Sequence, residues 1–111
     1  MCRNECKYGL NLIKQEKLQE ALKIFKALHC PIRWMIIKLL TSEKLTTNEI
    51  FNSLKNIGED ISKSALYYHL SELRNAGIIE LAEYREVGKG APEKVWRLKI
   101  KEIKINFLED L

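Results

Sequence analysis

From residue 61 onward, apolar and polar positions divide into two helical stripes. Leu66, Leu70 and Leu73 recur at i, i+4 and i+7, so they must face a core. The opposite arc of the helical wheel holds Ser64, Tyr68 and Ser71, with Lys63 and Tyr67 on its flank. Ser62 is a good N-cap, Ile61 and Leu66 have the spacing of a hydrophobic staple, and Gly77 is a stop. The spacing predicts a helix over 62–76. It exposes two tyrosines, two hydroxyls and a lysine near its N-terminal end, a surface suited to contact.

The same period runs through the first half of the chain. Leu10, Ile13, Leu18, Leu22, Phe25 and Leu28 stand among lysines and glutamates, predicting an amphipathic helix over 7–28, with Gly9 fraying its start. Pro31 suits a first helical position, and Ile32, Met35, Ile36, Leu39 and Leu40 predict a central buried helix. Thr46 and Glu49 have the spacing of a capping box, with Leu45 and Ile50 as its staple. They predict a third helix over 47–56, and Gly58 marks the turn that follows it.

After Gly77 the period becomes two. Ile79 and Leu81 share a face of a strand running to about Glu86. In a second strand Trp96, Leu98 and Ile100 alternate with Val95, Arg97 and Lys99. The turn-rich loop 87–93 lies between them, with Lys89 at its tip. Ile103, Phe107, Leu108 and Leu111 predict a short C-terminal helix within 101–111. Helices, a turn, a polar-faced helix and a hairpin describe an α+β, mainly α, winged helix-turn-helix. It has an extra N-terminal helix and a short C-terminal segment. In such motifs the second helix enters the DNA major groove and its N-terminal residues reach base edges.

Composition narrows the classes. At 111 residues one domain is expected, spanning the whole chain, and a charged fraction of 31% with 46% hydrophobic residues is that of a globular protein. A net charge of +4 permits an anionic partner without demanding one. No apolar run reaches the ~20 residues of a membrane span, and no signal-peptide core opens the chain, so a cytoplasmic protein is expected. Cys2, Cys6 and Cys30 are an odd number with no export signal, which predicts free thiols. Two distant histidines, with no nucleophile–base pair and no phosphate-binding glycine loop, argue against an enzyme.

The stretch Ser62-Lys-Ser-Ala-Leu-Tyr-Tyr-His-Leu-Ser-Glu-Leu-Arg-Asn-Ala-Gly-Ile-Ile79 resembles the recognition helix of ArsR-like winged-helix regulators, which runs from Ser-x-Ser through His-Leu-x-x-Leu to Ala-Gly-Leu/Ile. Lys26-Ala-Leu-His-Cys-Pro-Ile-Arg33 is similar to that family's Ala-Leu, Asp-Pro-x-Arg approach to its second helix. The resemblance spans about Ala27 to Lys99. It implies a DNA-binding transcriptional regulator, a repressor, acting as a homodimer. Segment 1–28 and the C-terminal segment would form the dimer interface, 32–79 the helical core and 78–100 the wing. Three departures stand out. The turn 55–61 is longer than in the family and carries Glu59 and Asp60, Cys30 replaces a capping Asp, and the third helix lacks the cysteine of metal-sensing members.

Lys63, Ser64, Tyr67 and Tyr68 are the expected DNA-facing set, since lysine, serine and tyrosine suit phosphates and base edges alike. Arg74 is placed against backbone phosphate or as a solvated helix-end charge. Lys89 between two glycines can approach a duplex closely. His69, at the edge of the leucine stripe, reads as a packing residue, and Trp96 as a core anchor. Cys2, Cys6, Cys30 and His29 have ligand chemistry for zinc but no diagnostic spacing, so no cofactor and no metal are expected, and an effector has no support. The alternative function is a winged helix used as a protein-interaction module in a transcription or replication assembly, to which the acidic turn and wing lend some weight.

Overall fold

Pro31 has no N–H to lose at the start of a helix, and the helix it opens buries Arg33, Ile36 and Leu40 along one face. The computed structural model describes residues 16–86 and 88–104. In chain order the elements are α1 (Glu16–Ala27), α2 (Pro31–Leu40), β1 (Leu45–Thr46), α3 (Thr47–Asn56), α4 (Lys63–Asn75), β2 (Ile79–Arg85) and β3 (Glu93–Leu98). The three strands form one antiparallel sheet in the order β1-β3-β2. Among the described residues, four helices with this small sheet are a mainly helical α+β winged helix-turn-helix.

Local chemistry fixes both ends of the helix-turn-helix. At α3 the capping box is complete: the Glu49 N–H donates to Thr46 Oγ1 at 3.1 Å, and the Thr46 N–H donates to Glu49 Oε1 at 2.8 Å. The α4 start is capped by Ser62, whose Oγ accepts from the Ala65 N–H at 3.1 Å. Gly77, at φ +78°, ends α4 by turning the chain through the left-handed region. The Ile78 N–H then reaches back to the Leu73 carbonyl at 3.0 Å, joining two buried residues across the end of the helix. Thr46→Ala should lower stability by about 1 kcal/mol, read as a lower denaturant midpoint at unchanged slope.

Leu66, Leu70 and Leu73 are all buried, joined in the core by Ile36, Ile50, Leu54, Ile78, Ile79 and Trp96. Trp96 is the expected anchor, and its indole N–H donates to Thr47 Oγ1 at 2.9 Å in a buried bond that ties the sheet to α3. On α2 the fully buried stripe is Arg33, Ile36 and Leu40, while Ile32, Met35 and Leu39 are half-buried. α2 is therefore central along one face only.

Several expectations shift. β1 is a third strand of two residues, pairing Leu45 with Trp96 and Thr46 with Val95, too short to leave a period in the sequence. β2 ends at Arg85, and its register slips between Leu81 and Glu83. That irregularity ends the simple alternation beyond Leu81. β3 runs 93–98, earlier than expected, and Val95 is buried because this strand is central, with a neighbour on each edge. Residues 101–104 are not helical; the rest of the expected C-terminal helix, and residues 7–15 of the expected first helix, lie outside the described residues.

Candidate nucleic-acid interface

The outward arc of α4 begins at its cap. Lys63 and Ser64 are exposed on the first turn, and Tyr67 and Tyr68 follow with 52% and 57% of their surface free. These four residues share the first two turns. Ser64 Oγ lies 3.1 Å from Ser62 Oγ, so the cap and the neighbouring hydroxyl are linked. Lys63 leans across the helix-turn-helix: its Nζ donates to Asn48 Oδ1 at 3.0 Å and sits 5.5 Å from the centre of the Phe51 ring. Lys55 approaches the same ring at 4.9 Å. Two ammonium groups thus approach one half-buried aromatic residue on α3.

Arg74 is exposed in the last turn of α4, roughly 16 Å along the axis from Lys63, where a cation suits the negative end of the helix dipole. Lys89 is exposed on the wing between Gly88 and Gly90, both at positive φ. The structure therefore brings Lys63, Ser64, Tyr67 and Tyr68 together and places Arg74 and Lys89 at separate positions.

Electrostatics trims the wing. Arg85 is shared between Glu49 at 3.6 Å and Glu83 at 3.8 Å, and Arg97 is bound to Glu80 at 2.7 Å. Lys44 hydrogen-bonds Glu83, and that bond, helped by the charges of Lys44, Arg85 and Arg97, lowers the Glu83 pKa. Glu93 accepts from the Asn48 N–H at 3.3 Å, near the start of α3. Among the described residues, Lys89, Lys94 and Lys99 are the wing cations without an ion pair. The acidic turn is ordered by its own backbone: the Glu59 N–H donates to the Leu54 carbonyl at 2.9 Å after Gly58 at φ +93°.

Residues 30–80 match the family model described as bacterial regulatory protein, arsR family. Over that segment, its helix-turn-helix, the chain is similar to the arsR family. HlyU of Vibrio cholerae superposes at a TM-score of 0.60 with 25% identity, over 77% of this chain and 80% of that one. The transcriptional regulator HlyU of Vibrio vulnificus does so at 0.57 and 26%, over 78% of each. An ArsR-like transcriptional regulator from Rhodococcus gives 0.53 and 26%, over 74% of this chain and 67% of that one. No curated protein matches the chain.

Within this ArsR-like fold Cys30 departs from expectation. It is buried and disulfide-bonded, not a free thiol. Spacing along the chain cannot report which cysteines meet in space. As the N-cap of α2 it makes no side-chain capping bond. Among the described residues no three of His, Cys, Asp and Glu cluster as metal ligands, and no helix is long and apolar enough to cross a membrane.

Sequence reasoning passed over Arg33 except as part of the Pro-Ile-Arg motif, although it shares a face with Ile36 and Leu40. It is 2% exposed, donates from Nε to His69 Nδ1 at 3.0 Å and from a terminal nitrogen to the Ala27 carbonyl, also at 3.0 Å. His69 is half-buried, as its place on the wheel implies. Burial first, and then the Arg33 charge, lower its pKa, with Glu72 opposing. As pH falls from about 6.5 the unfolded chain takes up this proton first, so stability present above that pH is lost through the folded-state value. Thermal unfolding between about pH 7 and 5 should show wild type losing more stability than His69→Asn, in which this site does not titrate.

Proposed function

We propose that the chain is a sequence-specific double-stranded DNA-binding transcription regulator acting as a homodimeric repressor. In this reading α4 lies in the major groove, with Lys63, Ser64, Tyr67 and Tyr68 toward base edges and phosphates. Arg74 and Lys89 meet the backbone, the latter from the wing, at the phosphates or in the minor groove. The single observation that carries the reading is the α4 face: two large tyrosines held more than half exposed beside a lysine and a serine, on the helix that an ArsR-like fold offers to DNA. The likeness to transcriptional regulators from Vibrio vulnificus and Rhodococcus supports it.

Dimerisation has its own support. Phe25, Trp34 and Ile103 are exposed apolar residues, and Trp34 and Ile103 line an open groove of about 310 Å³ together with Leu28, Ile37, Ile78, Leu98 and Ile100 among others. This surface lies on the α1, α2 and C-terminal side, in keeping with segments 1–28 and 101–111 as the dimerisation elements. One recognition helix reads few base pairs, and a second half-site about a helical turn away multiplies affinity and specificity. Selection of bound duplexes from a random pool tests the reading. An inverted repeat with half-sites about 10 bp apart is the expected product. A pool that shows no enrichment would contradict sequence-specific binding, and an enriched single site without symmetry would contradict the dimer.

A further inference from the structure

Arg33 is the most buried charged side chain of the helical core, and it does not stop at α2. One terminal nitrogen holds the Ala27 carbonyl at the end of α1, and Nε holds His69 on α4. The guanidinium carbon lies 5.5 Å from the centre of the Tyr68 ring, within the range of a cation–π contact. The Tyr68 and His69 rings sit with centroids 5.6 Å apart, tilted by 58°. Tyr68 is thus gripped from beneath by a buried cation and a neighbouring ring while most of its surface stays in solvent. Lys63 leans instead on Asn48 and the half-buried Phe51 ring of α3.

We propose that Arg33 and His69 are positioning residues that hold Tyr68 in the orientation from which it reads DNA, and that protonation of His69 releases this hold. The proposal rests on the DNA-binding reading above. Its chemistry is one of donors and acceptors. Nδ1 accepts from Arg33 only while it carries no proton, so the neutral ring has its hydrogen on Nε2. Protonation puts a second donor, on a second cation, opposite the guanidinium, and the bond cannot persist. The charges facing the imidazole are Arg33 from α2 and Glu72 from α4 itself; Lys26, at the end of α1, lines the same groove as Glu72. With burial and then Arg33 outweighing Glu72, the neutral, bonded state prevails at neutral pH and yields only on acidification.

Releasing Tyr68 restores rotamer freedom that binding must then remove, a loss of about 3- to 10-fold in affinity for the cognate site. An imidazolium near DNA also adds charge, which favours any duplex. The informative quantity is therefore the ratio of affinities for a selected duplex and a scrambled one of equal length. Measured with the full chain at fixed ionic strength, this ratio should fall in wild type as pH is lowered from about 7.5 through the titration of the imidazole, reaching a loss of about 3- to 10-fold once the ring is fully protonated. It should stay level in His69→Asn, whose Oδ1 can take the place of Nδ1 as an acceptor that does not titrate. In Tyr68→Ala the ratio should be lower throughout and independent of pH, because the residue being positioned is gone. A separate reading in the free protein follows the Arg33 Nε–H by NMR. Its signal should be protected from exchange at neutral pH and lost as the imidazole protonates.

A wild-type ratio that is level with pH, or one that still falls in His69→Asn or Tyr68→Ala, overturns the proposal while leaving DNA binding intact. An Arg33 signal indifferent to His69 protonation overturns it as well. Absence of salt-sensitive binding to any duplex at any pH removes the DNA-binding reading itself.

Discussion

Leu70→Ala should destabilise the fold by ~2–4 kcal/mol, enough to remove a large part of the stability of a domain this size. Leu70 is 1% exposed at the middle of α4, between Leu66 and Leu73, in a cluster shared with Ile36, Ile50, Leu54 and Trp96. Removing its isobutyl group loses the transfer free energy of the buried methyls and leaves a void that helices on two sides cannot close without strain. Denaturant unfolding followed by far-UV circular dichroism measures the loss. A change below about 0.5 kcal/mol would mean that the leucine stripe is not the inner face of α4.

Tyr68→Ala should act on the other side of the same helix. Its ring is 57% exposed, so truncation removes little buried area, and the unfolding midpoint should stay within about 0.5 kcal/mol of wild type once the Arg33 contact is allowed for. Affinity for a selected duplex should instead fall by a factor corresponding to ~1–3 kcal/mol, the range of a specific side-chain contact to a base edge. Lys63→Ala should weaken cognate and scrambled duplexes together, because a phosphate contact carries no sequence. Its Asn48 bond and Phe51 contact are exposed or half-buried and add little to stability. If Tyr68→Ala unfolds the protein while residual affinity survives, the inner and outer faces of α4 have been exchanged.

The contrast between these two substitutions shows where the chain was legible. Leu66, Leu70 and Leu73 have a clean period, Ser62 and Thr46 have the right partners three residues on, and Gly77 must adopt positive φ, so α3 and α4 were readable to within a residue. These are local rules, satisfied within one or two turns of chain. β1 was not readable, because two residues have no period and its pairing with β3 joins residues some fifty positions apart. The pairing of wing cations had the same cause: Glu49 with Arg85 and Lys44 with Glu83 are contacts made by the fold alone.

Arg33 is the intermediate case. Its spacing from Ile36 and Leu40 was visible and marked an inward face, yet a buried arginine needs partners that no local pattern names. They came from the end of α1 and from α4. Of the candidate interface, the grouping of Lys63, Ser64, Tyr67 and Tyr68 followed from helix geometry. What the sequence could not supply was the lean of Lys63 onto α3 and the core support beneath Tyr68.

The central claim is that α4 and the wing bind duplex DNA, and the salt dependence of binding tests it most directly. Affinity for a selected duplex should fall linearly on logarithmic axes as salt rises. Each phosphate neutralised by groups such as Lys63, Arg74 or Lys89 should contribute about 0.9 to the slope. A steep slope, reduced by about 1 in Lys89→Ala or Lys63→Ala, is the predicted result. Binding that does not respond to salt, or no binding to any duplex at low salt, would contradict it.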